Sequence, residues 1–111
     1  KNIEFEFDAD EDVTNMKVSM DVRKNIYLIF KEATNNMAKY SGANQALFSI
    51  KNEKNNLIMV IHDNGKGFDA SQASNRNGLR NMRKRAEEMG ADLTIESGSG
   101  KGTTIELSLA V

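Results

Sequence analysis

Residues 57–68 read Leu-Ile-Met-Val-Ile-His-Asp-Asn-Gly-Lys-Gly-Phe. The apolar beginning of this stretch predicts a strand that is buried in a sheet. Asp63 follows with a carboxylate beside Gly65 and Gly67, which allow the backbone to turn tightly and to approach a ligand closely. The alternative is a plain Asn-Gly turn between paired strands. Residues 69–77 favour a ligand site, because they form an aperiodic polar loop and not a returning strand.

Upstream of this stretch, apolar residues recur at intervals of two in short segments and of three or four in one long segment. The first pattern is typical of strands and the second of an amphipathic helix. The predicted elements are a half-buried strand at 2–7, a short strand at 15–18, a helix that begins at Ser19 or Asp21 and ends near Tyr40, and a strand at 46–50 that forms a hairpin with 57–62 across a polar loop at 51–56.

Downstream, the spacing of the apolar residues between Leu79 and Met89 predicts a second helix, which Gly90 ends as a C-terminal cap. Alternation at 93–95 and at 105–109 predicts two final strands. The order is strand, helix, two strands, loop, helix, two strands. A mixed, mainly antiparallel sheet with helices on one face, an α+β fold, covers the apolar face of each helix.

The composition narrows the class of protein. The chain of 111 residues is long enough for one domain, and 15 Lys and Arg against 16 Asp and Glu argue against a general nucleic-acid binder. No cysteine is present, which excludes disulfides and thiolate metal sites. The longest apolar run is far shorter than the ~20 residues of a membrane span. The chain shows no signal peptide and begins without Met, so we expect a piece of a longer protein.

One flank of the first predicted helix carries Glu32, Asn36 and Lys39. At 3.6 residues per turn the three side chains project in nearly one direction, at the border of the apolar face. An amide or carboxylate oxygen suits Mg²⁺, which binds few protein ligands together with phosphate oxygens and water. An ammonium group suits a phosphate. The alternative is a solvated helix flank.

The second predicted helix opens with Asn77-Gly78-Leu79-Arg80. Unpaired backbone N–H groups at a helix start attract an anion, and the helix dipole adds to that attraction. The basic residues that follow are unfavourable for the helix itself, which points to an anionic partner. The alternative is an ordinary helix start with a solvated basic face.

Residues 100–104 read Gly-Lys-Gly-Thr-Thr before the last predicted strand. The glycines permit close backbone approach, and a threonine hydroxyl can contact the edge of a base. The spacing is neither a Walker loop nor a dinucleotide fingerprint, because a strand follows the glycines where those motifs have a helix. The alternative is a flexible hairpin turn.

In this order, the four segments resemble the nucleotide-binding motifs of the histidine-kinase, gyrase, Hsp90 and MutL ATPase superfamily. Residues 32–40 resemble its asparagine box, 63–67 its Asp-x-Gly-x-Gly box, 78–79 its second glycine box and 100–103 its Gly-x-Gly-Thr box. The resemblance covers most of the chain and implies the two-layer α/β sandwich called the Bergerat ATP-binding fold.

The resemblance also implies a role for each matching residue. Asn36 would hold Mg²⁺, and Glu32 would be a general base. Together with Lys39, these two residues would form the catalytic set. Asp63 would accept a hydrogen bond from the adenine amine. The residues implied to contact ATP are Asn36, Lys39, Tyr40, Asp63, Gly65, Gly67, Phe68, Gly78, Leu79, Arg80, Gly100, Lys101, Gly102 and Thr103.

Residues 32–36 and 78–86 are similar to those of sensor kinases that pair with LuxR-type response regulators. The chain, 1–111, would then be the single ATP-binding catalytic domain of a longer, homodimeric sensor, a monomer by itself and cytoplasmic, with no contact with nucleic acid or membrane. It would transfer the γ-phosphoryl group of ATP to a histidine on an upstream helical dimerisation domain, mainly through positioning and charge neutralisation. His62, the single histidine, lies inside an apolar strand and is interpreted as a sheet residue.

Two alternatives stay open within the same superfamily. One is a serine kinase of the anti-sigma-factor type, against which the arginine-rich second helix and the strand at the start of the chain argue. The other is a nucleotide-binding module without transfer activity, against which the presence of Glu32, Asn36 and Asp63 argues.

Overall fold

The computed structural model describes residues 3–9, 18–38, 42–66, 77–98 and 100–110. These ranges form one five-stranded sheet, in the order β1-β2-β3-β5-β4, and two helices. β1 runs parallel to β2 and the other neighbouring pairs are antiparallel, so the mixed, mainly antiparallel α+β fold is confirmed. The elements are β1 (Glu4–Ala9), α1 (Met20–Asn36), β2 (Gln45–Glu53), β3 (Asn56–Asp63), α2 (Asn77–Glu88), β4 (Asp92–Ser97) and β5 (Thr103–Ala110).

Helix α1 begins at a side-chain cap. The Ser19 Oγ atom accepts a hydrogen bond from the Val22 N–H at 3.2 Å, which satisfies one of the donors that the first turn leaves unpaired. Asp21 lies in that first turn, where its charge interacts favourably with the helix dipole. Ile29, at the centre of the apolar face, is fully buried. Ser19 is therefore the cap, and the predicted end of the helix, Tyr40, lies outside the described residues.

Helix α2 ends at the predicted glycine. Gly90 has a φ of 69°, a left-handed conformation that glycine adopts without steric cost. The Gly90 and Ala91 N–H groups donate to the carbonyls of Glu87 and Ala86 at 3.1 and 2.9 Å. This pair of bonds is a Schellman motif, which satisfies the last carbonyls of the helix.

The described part of the chain contains no helix that is long and apolar enough to span a membrane.

The core lies between the two helices and one face of the sheet. Successive strand residues point to opposite faces, and alternate residues of β3 and β5 are buried. Burial of a large apolar side chain contributes about 1.5–3 kcal/mol. The five large side chains that are fully buried join both helices to the two central strands: Ile29, Met59, Ile61, Met82 and Leu107.

Strand β1 is more exposed than its alternation predicts. Residues 2–7 were expected to be half-buried, but Phe5 is 36% exposed and Phe7 63%. Phe30 of α1 packs edge-on against Phe48 of β2, with ring centroids 5.0 Å apart. Phe7 packs against the same Phe48 ring at 5.7 Å, but lies one strand further out. The prediction is right for Ile3, which is half-buried against the core, and wrong for Phe7, which lies on the edge strand beyond the part of β2 that α1 covers.

The β2–β3 hairpin closes with a tighter turn than the predicted polar loop at 51–56. The strands extend to Glu53 and from Asn56, which leaves Lys54 and Asn55 as the turn. Their φ values of 50° and 66° match the type I′ turn that suits the twist of a hairpin. The short strand expected at 15–18 lies outside the described residues except for its last residue, which is not in a strand.

Candidate nucleotide-binding site

Asp63 is the last residue of β3, and its side chain is only 4% exposed. The Gly65 N–H donates to Asp63 Oδ1 at 2.8 Å, and the Thr103 backbone N–H also donates to this carboxyl. Burial raises the pKa of Asp63, whereas the Gly65 bond, the charge of His62 and the Thr103 bond act to lower that pKa. A carboxylate has about four lone-pair positions, so these two donors leave acceptor capacity for an N–H group of a ligand.

Gly102 lies directly against the backbone of Asp63. Its φ is 75°, and a Cβ atom at this position would overlap the Asp63 carbonyl oxygen. Any side chain would therefore both strain the loop and collide with a backbone that has little room to move. The glycine holds the β4–β5 loop against the end of β3, next to the buried carboxyl.

A second contact joins the same two loops. The Gly100 N–H donates to the Lys66 carbonyl, and Gly100 has a φ of 77°. The Lys101 N–H closes the turn on the Gly98 carbonyl at 2.9 Å, and the Lys101 side chain is exposed. The segments that were identified separately in the sequence therefore meet at one end of the sheet.

Sequence reasoning missed the role of Ser97, the last residue of β4. Its Oγ donates to the Gly102 carbonyl at 3.2 Å and lies 2.9 Å from the hydroxyl of Thr103, which is buried. These contacts fix both the glycine loop and the threonine. Only the register of the strands, which pairs Ser97 with Thr103, indicates them.

Asn64 is the second residue that sequence reasoning missed. Its side-chain amide bonds to the backbone of Asn44 and Gln45 and to the side chain of Asn44. The sequence signal was weak because Asn-Gly occurs in many ordinary turns. Here the Asn side chain reaches the start of another strand.

The flank of α1 carries Glu32 and Asn36 as predicted. Both side chains are half-buried, while their neighbours Ala33 and Met37 are buried in the core. An amide oxygen at the border between core and solvent suits a metal that also binds phosphate oxygens and water. The other residues predicted for this part of the pocket and its wall lie outside the described residues: Lys39, Tyr40, Gly67 and Phe68.

The start of α2 differs in one respect from the prediction. The helix begins at Asn77 and includes Gly78, but the Leu79 side chain is 4% exposed and belongs to the core. Leu79 can therefore meet a phosphate only through its backbone N–H, one of the donors that the first turn leaves unpaired. The Arg80 side chain is exposed.

Comparison with known proteins shows the family to which the chain belongs. Residues 21–111 match the family described as histidine kinase-, DNA gyrase B- and HSP90-like ATPases. The chain belongs to this ATPase family. Sensor protein VraS of Staphylococcus haemolyticus is 34% identical over 97 residues, which is 86% of this chain and 28% of that protein. The chain therefore spans less than a third of the curated relatives that it matches.

The fold of this ATPase domain recurs in solved histidine kinases. It matches histidine kinase AdeS of Acinetobacter baumannii with a TM-score of 0.80 and 18% identity, over 98% of this chain and 54% of that one. It matches the ATP-binding domain of PrrB from Mycobacterium tuberculosis with a TM-score of 0.67 and 22% identity, over 78% and 67%. The family match therefore identifies the chain as an ATPase domain of this family, and its fold is that of the ATP-binding domains of solved histidine kinases.

Proposed function

We propose that this domain binds ATP with the adenine amine on Asp63, and that the bound ATP serves as phosphoryl donor to a histidine of another domain. The observation that supports the adenine site is the buried Asp63 carboxyl, which Gly102 and two backbone donors hold at the end of β3. A buried carboxylate that retains acceptor capacity favours a ligand with an N–H edge. The hydroxyl of Thr103, buried beside it, offers a second polar contact for the base.

Asn36 is the proposed Mg²⁺ ligand. The described residues contain no cluster of three His, Cys, Asp or Glu side chains that could hold a metal ion. A site with one amide oxygen fits a metal that takes its remaining ligands from phosphate oxygens and water. Bound Mg²⁺ would neutralise charge on the phosphates, and the unpaired N–H groups at the start of α2 would attract the same anion.

The remaining roles follow the family resemblance. Glu32 is proposed as the general base of the transfer, with Lys39 and Arg80 as contacts of the phosphates. Gly65, Gly100 and Lys101 would border the base, together with Gly67, Phe68 and Tyr40. The backbone of Gly78 and Leu79 would face the phosphates.

The proposed acceptor is a histidine on a helical dimerisation domain outside this chain. His62 is exposed and its Nδ1 lies 2.7 Å from Thr104 Oγ1, a sheet contact one residue out of phase with the buried Asp63. It faces away from the core and the proposed site. We propose that this domain is the cytoplasmic part of a membrane-anchored, homodimeric sensor, in which the phosphoryl group would pass on to a response regulator of the LuxR type.

Calorimetric titration of the domain with ATP tests the binding step. We expect one site, an affinity that depends on Mg²⁺, and loss of that dependence in Asn36→Ala. Absence of heat at high protein concentration would overturn the adenine site.

Labelled phosphate tests the transfer step. It should move from ATP to a helical domain with a histidine, added in trans, and labelling of a serine in its place would favour a serine kinase.

A further inference from the structure

Asn64 connects the end of β3 to the start of β2. Its Oδ1 atom accepts hydrogen bonds from the backbone N–H groups of Asn44 and Gln45, both at 3.1 Å. Its Nδ2 group donates to Asn44 Oδ1 at 2.7 Å, and its own backbone N–H donates to the Gln45 carbonyl at 3.2 Å. An asparagine side chain can accept through Oδ1 and donate through Nδ2 at the same time, whereas an ionised aspartate can only accept.

Asn44, to which Asn64 bonds, is itself hydrogen-bonded to a third strand. The Glu4 N–H of β1 donates to the Asn44 carbonyl at 2.9 Å. Asn64 also lines a concavity together with His62, and both residues are exposed and alternate with the buried residues Ile61, Asp63 and Gly65. Its side chain therefore lies on the side of the sheet away from the core, and it can influence the Asp63 carboxyl only through the backbone.

The residues on either side of Asn64 form the candidate site. Asp63 precedes it with the buried carboxyl, and Gly65 follows it with the N–H that donates to that carboxyl at 2.8 Å. Gly65 has no side chain with which to hold the turn, and glycine is the residue with the widest range of backbone conformations. Rotation of the backbone at Asn64 would carry the Gly65 N–H away from Asp63 Oδ1.

We propose that Asn64 is a positioning residue of the nucleotide site. By tying the turn at 63–65 to the start of β2, it holds the Asp63 carboxyl and the Gly65 N–H in the arrangement that receives the base. This inference rests on the proposed binding of ATP at Asp63. Asn64 does not touch the ligand, so its substitution acts on affinity through the geometry of its two neighbours.

Calorimetry with ATP and Mg²⁺ on three variants tests this role. A neutral hydrogen bond contributes about 0.5–1.5 kcal/mol, so Asn64→Ala, which loses all three side-chain bonds, should bind ATP about tenfold more weakly. Asn64→Asp keeps the two backbone bonds to Oδ1 and should stay within about threefold of the parent domain. Asn44→Ala removes only the bond from Asn64 Nδ2 and should also lose about threefold or less.

A matched control separates positioning from general stability. Ile58 is half-buried on β3 near the other end of the strand, so Ile58→Ala should lower the melting temperature and leave ATP affinity unchanged. Amide hydrogen exchange at Gly65 should accelerate in Asn64→Ala alone. Unchanged affinity in Asn64→Ala, or an equal loss in Ile58→Ala, would overturn the proposal while ATP binding stands. No binding by the parent domain would overturn the adenine site itself.

Discussion

The two ends of the β3–β5 pair use the same ladder for different purposes. At one end Leu57 lies opposite Leu109, and both side chains are buried and apolar. At the other end Asp63 lies opposite Thr103, and both are buried and polar. The apolar end gains stability from burial, whereas the polar end buries a carboxyl that needs hydrogen bonds to offset its desolvation. Apolar burial and the proposed ligand site therefore lie at opposite ends of a single pair of strands.

The glycine that closes the polar end gives the largest expected effect. Gly102→Ala places a Cβ atom on the Asp63 carbonyl and should destabilise the domain by about 3–5 kcal/mol and abolish ATP binding. Gly100→Ala is the matched control, because it has a similar φ but open space around the new Cβ, and should lose only about 1–2 kcal/mol. Chemical denaturation and calorimetry measure both. Equal effects in the two variants would contradict the contact with Asp63.

A substitution at the apolar end should lower stability and leave ATP affinity unchanged. Leu109→Ala removes a buried side chain and should lower the free energy of unfolding by about 2–5 kcal/mol. The protein that remains folded should bind ATP as the parent does, because the substitution lies at the far end of β5. A loss of affinity measured well below the melting temperature would show that the two ends are not separate.

Asp63→Asn tests the effect of burial at the polar end through the pH dependence of stability. Burial raises the pKa of Asp63 in the folded chain, so the folded state holds this proton more tightly than the unfolded state does. The resulting stability is complete below the unfolded pKa and is lost as the pH rises through the folded pKa. The variant lacks this loss, so its melting temperature relative to the parent should increase from about pH 3 to about pH 7.

The same variant should bind ATP more weakly. Loss of a hydrogen bond to a charged group costs about 1.5–3 kcal/mol, or about 10- to 150-fold in affinity. A melting temperature that falls relative to the parent as the pH rises would contradict the effect of burial on Asp63.

The smallest effect is expected at the turn that closes the apolar end. Lys54 adopts a φ of 50°, which glycine tolerates better than lysine, so Lys54→Gly should change the free energy of unfolding by about +1 kcal/mol at most. Asn55→Gly should gain less, because asparagine already tolerates this conformation. Urea denaturation measures both, and ATP affinity should not change. A large loss of stability in Lys54→Gly would contradict the type I′ turn.

Most of the fold could be predicted because it depends on periodicity. The alternation of 57–63 and 103–109 and the helical spacing around Ile29 and Met82 are local patterns, and the structure buries the residues they indicate. The exposure of Phe7 could not be predicted in this way. Alternation indicates which residues share a face of a strand, but only the sheet order shows that β1 is an edge strand, one strand beyond the Phe48 ring against which Phe30 of α1 packs.

The candidate site also has residues that the sequence predicts and residues that it does not. Asp63, Gly65, Gly100, Gly102 and Thr103 were predicted from motifs, and the structure brings them to one end of the sheet. The supporting contacts of Asn64 and Ser97 could not be predicted, because their partners depend on which strands are neighbours and in what register. Motifs indicate the residues that we propose to face a ligand, and tertiary structure is needed to find the residues that support them.

The buried side chain of Leu79 links the start of α2 to the packing of the core, which the motif alone does not suggest. The Leu79 side chain belongs to the same buried cluster as Ala33 of α1 and Met82 of α2, while its backbone lies in the first turn, where N–H groups have no acceptor within the helix itself. Those donors are therefore aimed by the hydrophobic core. A change of side-chain volume at Ala33 would tilt them without touching a ligand, and an anion bound there would report on how the two helices are packed.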